Sequence, residues 1–254
     1  RPTEAIDYYN KVVELNAGLL SARALARTGT IYFDAKDFVR ATTAYDAIVA
    51  GFSDQSIAAS AALQAGIAQF QLRNYEQAVQ RIDKVPADSP LASQSLMLKG
   101  LCLRELGQLD TARKMLADAY REAGDTPIAA EILFKRGQIE QMDRKKDVAA
   151  QMFLDLADRW PQDKHVAESL FNAAELKMEL RDLEGSRQTL KRLVTDFPES
   201  ASDVRVSILE GRILLADRKA EDAITVLTAA LQKEGISERD RLLCSYHLIR
   251  SSHM

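Results

Sequence analysis

The chain has 254 residues, of which 46% are hydrophobic and 28% charged, a composition that supports a folded core and excludes a disordered tail. Its 34 basic and 37 acidic residues give a net charge of −3, without the basic excess that phosphate neutralisation requires, so nucleic-acid binding is disfavoured. The 11 glycines and 6 prolines are too few for collagen, a linker or a turn-rich β protein, and they point to helix.

Small residues recur along the chain in two series that keep step with each other. The first series comprises Ala41, Ala78, Ala112, Ala149, Ser186 and Ala223. The second lies twelve residues earlier, at Gly29, Gly66, Gly100, Gly137, Ala174 and Gly211. Large apolar residues follow the first series by four positions, at Tyr45, Ile82, Leu116, Phe153, Leu190 and Leu227. This spacing predicts pairs of helices that cross closely at the small residues, with the large residue filling the groove beside them.

The repeat divides the chain into units of two helices, the first of about 15 to 18 residues and the second of about 12 to 14. In chain order we predict a half unit over 3–15, then six helical hairpins (repeats 1 to 6) over 20–51, 54–86, 89–123, 126–160, 163–197 and 200–234, and a half unit over 238–250. Pro86, Pro127, Pro161 and Pro198 lie between repeats, where a helix must end. Residues 74–77 predict a capping box at the start of a second helix. Both half units suggest an array that is cut at each end and otherwise forms one elongated stack over 1–254.

The repeated pattern resembles the tetratricopeptide repeat (TPR), with segments such as 72–78 and 106–112 similar to that family's turn and second-helix start. The resemblance implies an all-α fold, an α-α superhelix (solenoid) of stacked antiparallel helical hairpins whose inner wall is made by the first helices. The junctions at 160–165 and 197–202 are similar to those of bacterial cell-envelope members, including outer-membrane assembly lipoproteins and the Tol-Pal accessory protein. That narrower resemblance suggests a periplasmic or cell-envelope location.

No pattern in the sequence indicates enzyme chemistry. His165, His247 and His253 are scattered without metal-ligand spacing, and no glycine-rich phosphate motif or nucleophile elbow occurs. Cys102 and Cys244 lie far apart with no paired-cysteine motif, and Cys102 falls in a buried helical series. We therefore expect no enzymatic activity, no cofactor and no metal site, and the apolar runs are too short for a membrane span.

The inner wall of such an array is the expected binding surface. On each first helix, one face is formed by the residues six and three before the glycine position and one and four after it. The candidate partner-binding residues are Leu63, Ile67 and Phe70 in repeat 2, Met97, Leu101 and Arg104 in repeat 3, Phe134, Gln138 and Gln141 in repeat 4, and Phe171, Glu175 and Met178 in repeat 5. An apolar strip with polar edges suits an amphipathic or extended peptide. The alternative is that Leu63, Met97, Phe134 and Phe171 only pack against the next repeat.

The sequence thus favours a non-catalytic scaffold that binds a protein or peptide on its concave face. An alternative is the helical-repeat region of a larger enzyme or multi-domain machine whose catalytic or membrane part lies outside this chain. Self-association through the unpaired end helices is a third possibility.

Overall fold

The computed structural model describes residues 2–52 and 55–252, and within these ranges the chain forms fourteen α-helices, one short 3₁₀ helix and no strand. Two predictions fall outside the described residues, namely the start of repeat 2 at position 54 and the role of His253. The predicted all-α class is confirmed.

Contacts between residues group the chain into two bodies, the N-terminal body (residues 1–132) and the C-terminal body (residues 133–254). The helices before the boundary are α1 (Pro2–Glu14), α2 (Leu19–Asp34), α3 (Phe38–Gly51), α4 (Gln55–Gln71), α5 (Tyr75–Ile82), α6 (Ala92–Glu105) and α7 (Leu109–Ala123). The boundary falls within α8 (Ile128–Met142). The helices after it are α9 (Lys146–Arg159), α10 (Val166–Glu179), α11 (Leu183–Asp196), α12 (Val204–Ala216), α13 (Ala220–Leu231) and α14 (Glu238–Ser252), with the 3₁₀ helix at Pro198–Ser202.

Within a repeat, the first helix carries a glycine directly against a large side chain of the second helix. A Cβ atom at Gly29 would lie 2.6 Å from Tyr45 Cε1, and one at Gly137 would lie 2.7 Å from Phe153 Cε1. The same relation holds for Gly66 with Ile82, Gly100 with Leu116 and Gly211 with Leu227. Because these separations are too short for a real Cβ, a side chain at any of these five positions would force the facing side chain to shift. The predicted crossing of small and large residues is confirmed at these five positions.

The fifth repeat builds its crossing differently. Ala174 takes the place of glycine and Ser186 the place of alanine, and both residues are fully buried. The Ser186 hydroxyl donates a 2.7 Å hydrogen bond to the Ala174 carbonyl oxygen. A buried hydroxyl without a partner would destabilise the fold, so this bond makes serine acceptable at the crossing.

The turn inside each hairpin places one residue in the left-handed region of backbone space. Gly107 has φ of 75° in repeat 3, and in the other repeats the residue is lysine or arginine with φ between 60° and 67°, namely Lys36, Arg73, Arg144, Arg181 and Arg218. Non-glycine residues rarely adopt this conformation because Cβ meets the following carbonyl oxygen. Five of the six turns therefore hold a modest backbone strain.

Repeat 2 departs from prediction in its second helix. The helix α5 has only 8 residues and ends at Ile82, because Val85 and Pro86 follow within a turn. The predicted capping box is wrong, since Asn74 makes no capping hydrogen bond and its Nδ2 donates instead to Gln69 Oε1 at 3.0 Å. The buried Gln69 in turn donates from Nε2 to Thr42 Oγ1 at 3.1 Å. Asn74 thus joins a polar network that links α3, α4 and α5.

Candidate functional site

In the N-terminal body, the candidate residues lie on the first helices and most contribute to packing. Leu63 is buried in a cluster with Ile82 and Leu98. Ile67 and Phe70 are partly buried against the same cluster, and Phe70 meets Tyr75 edge to face with ring centroids 5.4 Å apart. These contacts match the packing alternative for Leu63.

The third repeat presents three half-buried candidate residues on α6, Met97, Leu101 and Arg104. Arg104 Nη2 forms an ion pair at 2.6 Å with the adjacent Glu105. The Glu105 carboxylate offsets the positive charge of Arg104, and the apolar side chains of Met97 and Leu101 remain partly accessible on this helix.

In repeat 4, Phe134 is only 5% exposed and lies between two rings of the C-terminal body. It stacks on His165 with centroids 4.6 Å apart and packs against Phe153 at 5.7 Å. Gln138 and Gln141 are half-buried one and two turns further along α8. Phe134 is therefore a core residue whose ring holds the junction before α10 in place.

The fifth repeat brings its three candidates to a groove in the C-terminal body. Phe171, Glu175 and Met178 of α10 line a cavity of about 920 Å³ together with residues of α12 and α14. The helix α12 contacts both α10 and α14. A cavity of this volume falls within the range of ligand-binding clefts. We refer to it as the α10–α12–α14 groove.

Two ion pairs connect α10 and α12, and in each pair the two residues occupy equivalent positions of successive repeats. Arg205 Nη1 lies 3.2 Å from Glu168 Oε1, and Arg212 Nη1 lies 3.0 Å from Glu175 Oε1. The partners are 37 residues apart in both pairs, which is one repeat period. These side chains are partly exposed, so the pairs fix the arrangement of the groove wall more than they add to stability.

Arg205 also covers the floor of the groove. Its guanidinium carbon lies 4.8 Å from the centroid of the Phe171 ring, a cation–π contact. Hydrogen bonds to Asp203 and Glu168 raise the pKa of Arg205 above its ordinary value, against the opposing effect of burial. The positive charge of Arg205 is thus held permanently over an apolar ring.

A histidine lies in the groove with an unsatisfied nitrogen. His247 of α14 is 7% exposed, and its buried Nδ1 has no hydrogen-bond partner among the described residues. Burial lowers its pKa, and the nearby positive charges of Arg212 and Arg250 lower it further. His247 is therefore neutral at physiological pH, and its unpaired Nδ1 atom is buried within the protein.

The residues of α12 and α14 are the part of this groove that sequence reasoning missed. The repeat frame carries the signal, because the four face positions of repeat 6 are Arg205, Ile208, Arg212 and Leu215, all of which line the groove. Only the side chains of α14 fall outside the hairpin pattern, since that helix belongs to the predicted half unit.

The cysteines offer no reactive thiolate. Cys102 is fully buried in the same apolar cluster as Leu63 and Ile82, and burial raises its pKa to about 12. Burial also raises the pKa of Cys244. Over the described ranges no cluster of histidine, cysteine and carboxylate side chains has the geometry to hold a metal ion. Within the same ranges, no helix combines the length and apolar character needed to cross a membrane.

Family models match three stretches of the chain. Two tetratricopeptide repeat models match residues 104–164 and 168–200. A model for the N-terminal domain of the T7SS ESX-1 secretion system protein EccA1 matches residues 23–133. Among curated proteins, none matches the chain.

Solved structures with a similar fold are helical-repeat proteins of low sequence identity. The C-terminal part of a TPR repeat-containing protein from Cytophaga hutchinsonii is 11% identical with a TM-score of 0.74, over 95% of this chain and 94% of that one. PilF from Pseudomonas aeruginosa is 15% identical with a TM-score of 0.66, over 96% of this chain and 98% of that one. YrrB, described as a TPR protein with an unusual peptide-binding site, is 19% identical with a TM-score of 0.56, over 78% and 95%.

These findings define the class of the protein as an all-α helical-repeat solenoid. The family models and the structural neighbours together support the tetratricopeptide repeat family, in agreement with the resemblance seen in the sequence.

Proposed function

We propose that this protein is a non-catalytic interaction scaffold that binds a protein or peptide partner in the α10–α12–α14 groove. The carrying observation is the groove itself, which combines an apolar floor with charged walls and a volume of about 920 Å³. The structural similarity to YrrB, whose description names a peptide-binding site, supports a peptide ligand. Among the candidates drawn from the sequence, Phe171, Glu175 and Met178 belong to this proposed site.

Affinity capture with mass spectrometry tests the scaffold role. A double variant, Met178→Glu with Leu243→Glu, places charge at two accessible apolar positions of the groove. Val148 and Ile224 provide the matched control, because they are exposed apolar residues of the second helices α9 and α13, outside the groove. We expect the wild type and Val148→Glu with Ile224→Glu to capture the same partner, and the groove variant to lose it with unchanged helicity by circular dichroism. Equal capture by all three proteins would contradict the proposal.

A second candidate function is favoured by the EccA1 match over residues 23–133. Because that model describes one domain of a secretion-system protein, we propose as the alternative that this chain is the helical-repeat region of a larger machine, placed in a secretion system or the bacterial cell envelope. The junction resemblance at 160–165 and 197–202 supports the envelope location. The complete gene sequence and fractionation of cells tests both points. A catalytic or membrane segment in the same reading frame supports the alternative, and its absence contradicts it.

Self-association is a further proposal, supported by apolar residues on α14. Leu242, Tyr246 and Ile249 are each more than half exposed, and they follow one another at helical spacing on one face. Light scattering over a range of protein concentrations measures the molecular mass directly. A monomer at every concentration would contradict self-association.

A further inference from the structure

The charge of the α10–α12–α14 groove points to the chemistry of its occupant. Six lysine and arginine side chains line it against three carboxylates, Glu175, Glu179 and Asp240. Two more carboxylates, Glu168 and Asp203, pair with Arg205 beside the groove, and a positive excess remains. The chain as a whole carries a net charge of −3. The groove is therefore a basic site on an acidic protein, and a negatively charged ligand is steered toward it.

Half of these cations are neutralised within the protein and half are available. Lys146, Arg205 and Arg212 pair with carboxylates, for example Lys146 Nζ with Glu179 Oε2 at 3.0 Å. Among the described residues, no ion pair engages Arg181, Arg239 or Arg250. A free guanidinium presents a planar set of donors that fits a carboxylate with two parallel hydrogen bonds.

The distance between the two free arginines of α14 indicates how long a peptide must be to contact both. Arg239 and Arg250 are eleven residues apart, so they lie on nearly the same helix face about 16 Å from each other. An extended peptide covers that distance in about five residues. Arg250 also lies 5.9 Å from the Tyr246 ring, which holds its guanidinium near the helix surface.

His247 and the apolar floor supply observations that do not depend on net charge. His247 lines the groove as a neutral ring, and its Nδ1 atom is buried within the protein without a hydrogen-bond partner among the described residues. Phe171, Met178, Ile208 and Leu243 provide apolar surface beside it, which anchors side chains of a peptide.

We propose that the α10–α12–α14 groove binds an acidic segment of a partner protein, with carboxylates on Arg239 and Arg250 and apolar side chains on the floor between them. This inference rests on the proposed scaffold function and names the chemistry of the partner. An acidic segment with apolar side chains complements the free arginines and the apolar floor together.

Fluorescence anisotropy with two labelled synthetic peptides tests the inference. The first peptide has about ten residues that alternate glutamate and leucine, and the second carries glutamine at each glutamate position. We expect the full chain to bind the glutamate peptide about tenfold or more tightly than the glutamine peptide, and less tightly as ionic strength rises.

Arginine variants locate the binding. The double variant Arg239→Gln with Arg250→Gln should lower the affinity for the glutamate peptide about tenfold. The double variant Arg239→Lys with Arg250→Lys should recover part of that affinity, because lysine restores the positive charge without the planar guanidinium. Arg23→Gln with Arg27→Gln is the matched control, since both residues are exposed on the first helix α2 and no ion pair engages them within the described residues. The control should bind within about twofold of wild type, and circular dichroism should show that all variants fold.

The outcomes separate this inference from the proposed function. Equal affinity for the two peptides, with both lost in Met178→Glu with Leu243→Glu, would overturn the acidic preference and leave the scaffold groove in place. An equal loss in the Arg23 and Arg27 control would show general attraction to a basic surface and would also overturn it. If neither peptide binds while partner capture still depends on the groove, the acidic preference alone fails. If capture is also independent of the groove, the proposed function fails with it.

Discussion

Leu63 in the N-terminal body and Phe171 in the C-terminal body hold the same place in the repeat, three residues before the glycine position. Both are nearly buried, at 4% and 8% exposure. Leu63 lies within an apolar cluster, whereas Phe171 lies beneath the Arg205 guanidinium and forms part of a groove. Two residues at one repeat position are therefore nearly buried in both bodies, and their neighbours determine whether the position adjoins an apolar cluster or a groove.

The position one residue after the glycine shows the same contrast. It is apolar at Ile67 and Leu101 in the N-terminal body and charged at Glu175 and Arg212 in the C-terminal body, whereas Thr30 and Gln138 are polar and uncharged. Glu175 and Arg212 form an ion pair between the first helices of successive repeats. A charged residue at this position therefore finds its partner in the neighbouring repeat. The two bodies thus share one folding pattern, and the C-terminal body adds an ion pair between its first helices at Glu175 and Arg212.

Truncating the two equivalent residues gives the largest expected effects. Leu63→Ala should lower the free energy of unfolding by about 2 to 5 kcal/mol and Phe171→Ala by about 3 to 5 kcal/mol, because each leaves a cavity. Only Phe171→Ala should also weaken peptide binding, since it removes the support of Arg205. Urea unfolding and anisotropy measure the two effects. Equal loss of binding in both variants would erase the distinction between core and site.

Replacing a crossing glycine by alanine should destabilise the protein more when the facing side chain is rigid than when it is flexible. Gly137→Ala should cost about 1 to 3 kcal/mol, because the new Cβ meets the rigid Phe153 ring at 2.7 Å. Gly66→Ala should cost less, since the Ile82 side chain it meets can rotate. Gly51→Ala is the control, with open space around the added atom, and should be neutral or slightly stabilising. Thermal unfolding of the three variants gives the order, and an unaffected Gly137→Ala protein would contradict the crossing geometry.

The left-handed turn residue is glycine in one hairpin turn of the N-terminal body and arginine in one of the C-terminal body, so the two turns can be substituted in opposite directions. Gly107→Ala should destabilise the protein by about 1 kcal/mol through backbone strain alone, because nothing lies near the added Cβ. Arg144→Gly should relieve the same strain and stabilise by up to about 1 kcal/mol, less the entropy that glycine adds to the unfolded chain. Unfolding midpoints should shift in opposite directions, and a shared direction would count against the strain assignment.

The smallest expected change concerns the charged wall. Glu175→Gln removes a partly exposed ion pair with Arg212 and should cost no more than about 1 kcal/mol. The same change frees Arg212 and should tighten binding of the glutamate peptide. Glu184→Gln is the control, since Glu184 pairs with Arg187 on α11, away from the groove residues. Tighter binding in both variants would indicate a response to net charge alone.

Much of the fold follows from local patterns in the sequence. The close crossings could be predicted because the residues that form one crossing, such as Gly137, Ala149 and Phe153, lie within seventeen residues of the chain. The same spacing of small and large residues recurs in each repeat. The role of Asn74 could not be predicted, because it depends on a contact with Gln69. The short length of α5 could not be predicted either, because it depends on Val85 and Pro86 following soon after Ile82.

The site was only partly predictable for a related reason. Phe171, Glu175 and Met178 follow from the helical face of one repeat. The charge of the groove depends on Arg205 and Arg212 meeting acidic residues 37 positions earlier, and on α14 closing the far side. A helical face also does not reveal depth, so Leu63 and Phe134 carry the face pattern and yet are buried.

Photo-crosslinking from within the groove tests the central claim most directly. A benzoylphenylalanine at Met178 samples the α10–α12–α14 groove, and the same probe at Val148 samples the exposed outer face of α9. We predict that the captured partner crosslinks to the chain from position 178 and not from position 148. A crosslink from position 148 alone would contradict the assignment of the groove as the binding site.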